Sequence, residues 1–138
     1  MSIVQTQTTS FKKELYEGVH NLSTDHIYIA LYTSNASLDQ NTTAYSATNE
    51  VTGTGYTAGG QQLLNPIISS SGYTAYVSFD NAQWTAALTA RCALIYNATK
   101  ANKSVAVIDF GSNKTSTTTF TITMPANTAD SAIIRSSN

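Results

Sequence analysis

Residues Leu88–Met124, LTARCALIYNATKANKSVAVIDFGSNKTSTTTFTITM, govern how the rest of the chain is read. They divide into three runs, Leu88–Tyr96, Ser104–Phe110 and Thr117–Met124, separated by the polar turns Asn97–Lys103 and Gly111–Ser116. Within each run apolar residues recur at every second position, the spacing that turns one face of a strand toward a core. Ala106, Ile108 and Phe110 share one face of the middle run, and Val105, Val107 and Asp109 share the other. In the third run Phe120, Ile122 and Met124 alternate with Thr. The pattern predicts a β-meander of three strands with the remaining chain packed on it.

Composition points the same way. Charged residues make up 11% of the chain, less than half the usual share, while Ser, Thr and Asn number 16, 22 and 11. Thr suits a half-exposed pleated surface, and Ser and Asn suit turns because their short side chains bond their own backbone. A chain of 138 residues has the size of one domain with a core of its own. The expected fold is mainly β: an antiparallel β-sandwich or barrel-like domain over residues 1–138 with one short N-terminal helix. Residues 1–9 are expected as an N-terminal arm and residues 126–138 as a C-terminal tail. So few charges give little protection against self-association, which fits a subunit of a homo-oligomer.

Upstream of the meander, Gln61–Ser69 and Tyr73–Asp80 read as a hairpin about Ser70–Gly72. Pro66 puts the first of these strands at an edge or splits it. Tyr73, Ala75, Val77 and Phe79 fall on one face of the second, and Trp84, the only Trp, is expected to close one end of the core. His26–Thr33, HIYIALYT, is apolar on both faces and reads as a central strand. Ser34–Glu50 is long for a connection and has few anchors, Leu38 and Tyr45; contact with another subunit is its expected role. Near the start, Ser10 is the expected N-cap of a helix carrying the apolar stripe Phe11, Leu15, Val19 and Leu22 and ending near Gly18–Asn21. Such a helix lies across the sheet or docks on a partner. In the tail, Ala132–Ile134 is an apolar island suited to an edge strand, in this chain or in a neighbour's sheet.

Chemistry-bearing patterns are scarce. A net charge of −1 offers no basic field for nucleic acid. Lys100, Lys103 and Lys114 read as solvated turn residues. Cys92 sits beside Ala93 and Leu94 as a small buried apolar residue, with no His near it in sequence to activate a thiolate. Gly53-Thr-Gly55-Tyr-Thr-Ala58 meets the loose dinucleotide-binding pattern but lacks the strand before and helix after that the pattern needs, so its glycines serve turns or close backbone approach. Asp109-Phe110-Gly111 matches a kinase tripeptide by coincidence in so short a chain. His26 reads as a polar strand entrance, and Arg91 as a half-buried partner of Asp80 or Asp109. The eight carboxylates form no acid/base pattern, and two His with one Cys cannot make a zinc motif. No catalytic, cofactor-binding or metal residue is therefore expected, and no cofactor. No apolar run reaches the length of a membrane span. The first residues lack the charged start and apolar core of a signal peptide, so a cytosolic origin is expected and the six Asn-x-Ser/Thr triplets are chance.

Three segments, taken in order, carry a resemblance: Ile29-Ala-Leu-Tyr-Thr-Ser34, Glu50-Val-Thr-Gly-Thr-Gly-Tyr-Thr-Ala-Gly-Gly60, and Arg91-Cys-Ala-Leu-Ile-Tyr96 followed by Val105-Ala-Val-Ile-Asp-Phe-Gly111. Across roughly residues 9 to 125 the chain resembles small virion-associated structural proteins of tailed bacteriophages. The resemblance brings no catalytic motif. It implies a non-enzymatic part of a virus particle, assembled in the host cytoplasm. Within that frame a capsid decoration (cement) protein is expected, stabilising the head through contacts with the major capsid protein and with its own copies. The alternatives are a tail, neck or fibre-associated component, or a receptor- or carbohydrate-binding module with Tyr45 and Tyr56 as its stacking residues.

Overall fold

The structure, a computed structural model, describes residues 3–137. It is mainly β, 41% strand against 8% helical, and every ladder between its strands is antiparallel. The central hairpin is β7 (Thr89–Asn97) with β8 (Lys103–Thr115). On the far side of β7 lies β2 (Ile27–Tyr32), followed by the short β3 (Gln61–Gln62); on the far side of β8 lies β1 (Thr6–Gln7). The sheet order is thus β1-β8-β7-β2-β3. As its sequence predicts, β2 has neighbours on both sides and buries both faces: Ile27, Ile29 and Leu31 toward one core, Ala30 and Tyr32 toward another.

The front core lies between this sheet and a second layer, giving a sandwich-like arrangement. That layer contains a three-stranded sheet, β10 (Ile134–Ser136), β5 (Thr74–Ser78) and β4 (Ile67–Ser71), and a two-stranded sheet, β6 (Ala82–Trp84) with β9 (Phe120–Ile122). Helix α1 (Thr9–Tyr16) adds Phe11, which is fully buried. From Ala82 to Ala90 buried and exposed residues alternate without a break, so Ala82, Trp84, Ala86, Leu88 and Ala90 form one inward row. Trp84 meets the rings of Tyr56 and Phe120 at centroid distances of 5.9 and 6.2 Å.

The expected three-strand meander does not form. Strand β8 runs through the predicted turn at Gly111–Ser116 as far as Thr115, pairing Lys114 with Ala90 and Thr115 with Thr89. Gly111, at φ +82°, lies in the bulge that makes this possible, where residues 110–113 stand opposite Arg91 alone. The third run leaves the sheet and is paired only over Phe120–Ile122, against β6, where Phe120 meets Trp84 and Ile122 meets Ala82. The cause is burial: Thr117, Thr118 and Thr119 are exposed and have no apolar group to hide, whereas Phe120 and Ile122 close the core around Trp84. Trp84 accordingly belongs to a strand, β6, and closes the core as expected. A second bulge, between Ile95 and Tyr96 on β7, leaves Val105 without an opposite residue. Val105 and Ala106 then both reach the front core and only Val107 faces back, which breaks the strict alternation expected for this run.

Smaller corrections follow from the same logic. The N-cap of α1 is Thr8, whose Oγ1 accepts from the Phe11 N–H at 3.3 Å, two residues before the expected Ser10. The helix stops at Tyr16, so Val19 and Leu22 lie beyond it, and Leu15 is 38% exposed. Pro66 does split its segment, with Asn65 at φ +55°, leaving β3 in one sheet and β4 at the edge of another. Gly72-Tyr73 makes the β4–β5 turn, so Tyr73 stands 87% exposed and off the predicted apolar face. The described part of the expected arm is no free arm: β1 pairs with β8, Thr8 is fully buried, and Ile3 bridges Leu38. Of the island in the tail only Ile134 enters a strand, β10 on β5 of this same chain, while Ala132 and Ile133 lie before it.

Candidate functional site

Polar side chains gather at two places; the first holds Tyr45 and Tyr56, the residues of the alternative binding face, around Glu50, and the second has no counterpart in the sequence reading. The first lies at the outer edge of β2. Residues 49–51 run beside the end of this strand (Thr33 N–H to Asn49 O, Val51 N–H to Leu31 O, 2.9 Å each), and β3 runs beside its start. Between them the chain loops away, leaving the Leu31 N–H without a backbone partner. The Tyr56 hydroxyl fills the gap: it accepts from Leu31 N at 2.9 Å and donates to Glu50 Oε2 at 2.5 Å. Glu50 Oε2 also accepts from the Gly59 N–H at 2.8 Å, and its Oε1 accepts from the Tyr45 hydroxyl at 2.6 Å. Tyr96 donates to Gly59 O at 2.6 Å and stacks on Tyr45 with centroids 4.8 Å apart. Tyr32 donates to Ser46 O at 2.7 Å.

The backbone makes this crossing possible only with glycine. At Gly60, φ +79°, a Cβ would lie 1.8 Å from Ile29 O, so any side chain would push the loop off β2. Burial first, and then the hydrogen bond to Glu50, push the hydroxyls of Tyr45 and Tyr56 far above the ordinary tyrosine range. Burial and the Glu50 charge push Tyr32 the same way and Tyr96 up to about 12. All four hydroxyls stay protonated and keep donating. Glu50 is 8% exposed with three donors on its two oxygens, an arrangement that pins a loop. Tyr45 and Tyr56 point their hydroxyls at Glu50; the Tyr56 ring is buried, and half-buried Tyr45 stacks on Tyr96.

The second cluster closes the C-terminal end of β7. Asn97, fully buried, caps the 3₁₀ turn Ala98–Lys100: its Oδ1 accepts from Thr99 N at 3.1 Å and Lys100 N at 3.2 Å. Its Nδ2 donates to Asp25 Oδ2 at 2.8 Å and to His20 Nδ1 at 2.9 Å. His20 therefore donates from Nε2 to Glu14 Oε1 at 2.8 Å. Lys103 reaches Glu14 at 3.4 Å, and Lys100 reaches Asp25 at 2.8 Å. Desolvation works against the Asp25 carboxylate, but the Asn21 N–H, the Asn97 amide and Lys100 outweigh it and hold the group at about 2. The network ties the segment after α1 to the β7–β8 turn.

The remaining sequence candidates fall into structural places. Cys92 is fully buried and its thiol is pushed up to about 11, by burial above all. Arg91 pairs with Asp109, one of the two partners foreseen; Asp80 instead takes the Asn65 amide. The Gly111 N–H and then Arg91 lower the Asp109 carboxyl. His26 is exposed at the start of β2, and Lys114 lies over the Phe110 ring at 5.9 Å. The Ser34–Glu50 connection covers the back of its own sheet, burying Ala36 and Leu38 against Ala30, Cys92, Leu94 and Val107. Among the described residues no three His, Cys, Asp or Glu stand together as a metal site, and no helix is long and apolar enough to cross a membrane. Glu50 had a signal in the sequence: it is the only charged residue between Asp39 and Asp80. A lone carboxylate in so neutral a stretch is either exposed or firmly held. Compared with known proteins, the chain matches no family model, no curated protein and no solved structure.

Proposed function

We propose that this protein is a non-enzymatic structural component of a bacteriophage virion, a capsid decoration protein that stabilises the head by packing against the major capsid protein and against its own copies. One observation carries the reading: polar and apolar groups are placed for packing. Both carboxylate clusters spend their hydrogen bonds on the protein's own loops, while large apolar side chains stand on the surface. Leu64, Ile67 and Ile68 are 55%, 53% and 52% exposed, and Tyr16 and Tyr73 are 94% and 87% exposed. Exposed aromatic and aliphatic groups on a surface this poor in charge suit permanent contacts in an assembly. The resemblance of Ile29–Ser34, Glu50–Gly60, Arg91–Tyr96 and Val105–Gly111 to small virion proteins supports the same reading.

The test is the copy number of the protein in purified particles, by quantitative mass spectrometry, with its position from low-resolution imaging. Many copies spread over the head are expected. A few copies at one vertex would move the protein to the tail, neck or fibre. Absence from the particle together with binding of the purified protein to host cells would make it a receptor-binding module.

A further inference from the structure

We infer that β4 is a dimerisation edge, on which a second copy of this chain adds its own β4 antiparallel across a two-fold axis. Among the described residues β4 has one strand neighbour, β5, and its outer edge is unpaired. The two-residue turn Gly72-Tyr73 makes Ser71/Thr74, Ser69/Tyr76 and Ile67/Ser78 the hydrogen-bonded pairs of this hairpin. The N–H and C=O groups of Ile68 and Ser70 therefore point outward, free for another strand. Natural edges are blunted by charges or bulges. Here no charged residue occurs anywhere from Val51 to Phe79, and Pro66 guards only the entrance of β4.

The sequence of the edge fits itself. With Ser69 on the axis, Ile68 faces the partner subunit's Ser70, and the two symmetric pairs exchange four backbone hydrogen bonds. Each Ile then meets a Ser, bulky beside small, in the order Ile67-Ile68-Ser69-Ser70-Ser71. A charged partner would find no counter-charge on this hairpin, whereas an identical copy meets no like-charge repulsion. The apolar groove of about 400 Å³ between α1 and this sheet, lined by Phe11, Leu15, Leu22, Ile68, Val77 and Ile134, crosses the sheet face from β10 to β4 and reaches the free edge at Ile68, where an added strand would extend it. The inference does not rest on the virion reading.

The register supplies the test. Two Ser69 Cα atoms on the axis form a non-hydrogen-bonded pair, about 4.5 Å apart and inside the range a disulfide spans. Ser71 positions in the two copies lie about 13 Å apart along the strands. Under mild oxidation Ser69→Cys should give a covalent dimer and Ser71→Cys should not; buried Cys92 does not compete. Sedimentation should show the wild type as a dimer and Ile68→Lys as a folded monomer with an unchanged circular dichroism spectrum. A wild type that stays monomeric at every concentration, a dimer that survives Ile68→Lys, or equal cross-linking at both cysteines would overturn the inference.

Discussion

The two faces of the central sheet are closed by different means. On the front, β2 and β7 meet apolar side chains from strands and a helix: Phe11, Trp84, Leu88, Phe120 and Ile134. On the back, the same strands meet the N-terminal segment and the irregular stretch between Ser34 and Glu50, which contributes only Ala36, Leu38 and half-buried Tyr45 as apolar cover. Hydrogen bonds of the Glu50–tyrosine cluster supply the rest. A regular element can hide its backbone while presenting a row of apolar groups. An irregular stretch leaves many N–H and C=O groups to be satisfied, so it is fastened by polar side chains. The front is therefore held by apolar area and the back by geometry.

Four substitutions grade that difference. Trp84→Ala removes the largest group of the front core and should cost about 3–5 kcal/mol in denaturant unfolding; a loss under about 0.5 kcal/mol would mean that the ring contributes no packing. Glu50→Ala orphans the hydroxyl protons of Tyr45 and Tyr56 and the Gly59 N–H, the bonds that fasten the cover at the outer edge of β2, and should cost about 3 kcal/mol. Asp25→Asn probes the polar cluster at the end of β7. Its carboxyl sits at about 2 in the fold against about 3.9 unfolded, so it contributes on the order of 2 kcal/mol above pH 4 and loses this as pH falls through about 2. The wild type should therefore lose more stability than Asp25→Asn between pH 5 and pH 2. Asp109, also lowered, leaves a slope common to both proteins. Equal slopes would remove Asp25 from the account. Tyr16→Ser, on the exposed side of α1, should change the stability of the isolated chain by less than about 0.5 kcal/mol.

Legibility in the sequence follows the same divide. The mainly β class, the β2 strand, the β7–β8 hairpin and the split at Pro66 were readable because two-residue periodicity and proline act locally. The partner of the third run was not, because Phe120 and Ile122 alternate equally well beside β8 or beside β6; the choice depends on Trp84, far away in sequence. Bulges hid the true faces of Val105 and the extension past Gly111, since an unpaired residue leaves no mark in an alternating pattern. The Glu50 cluster joins Tyr45, Tyr56, Gly59 and Tyr96. Asn97 joins His20 and Asp25, more than seventy positions away. No local spacing encodes such meetings.

Native-state hydrogen exchange on the wild type and Glu50→Ala tests most directly that polar side chains fasten the back cover while apolar packing holds the sheet. Amides that bond the cover to itself and to the sheet, those of Ala36, Thr42, Tyr45 and Val51, should lose protection in the variant, while the amides between β7 and β8 keep most of theirs. Equal loss on both sets, or no loss at the cover, would contradict it.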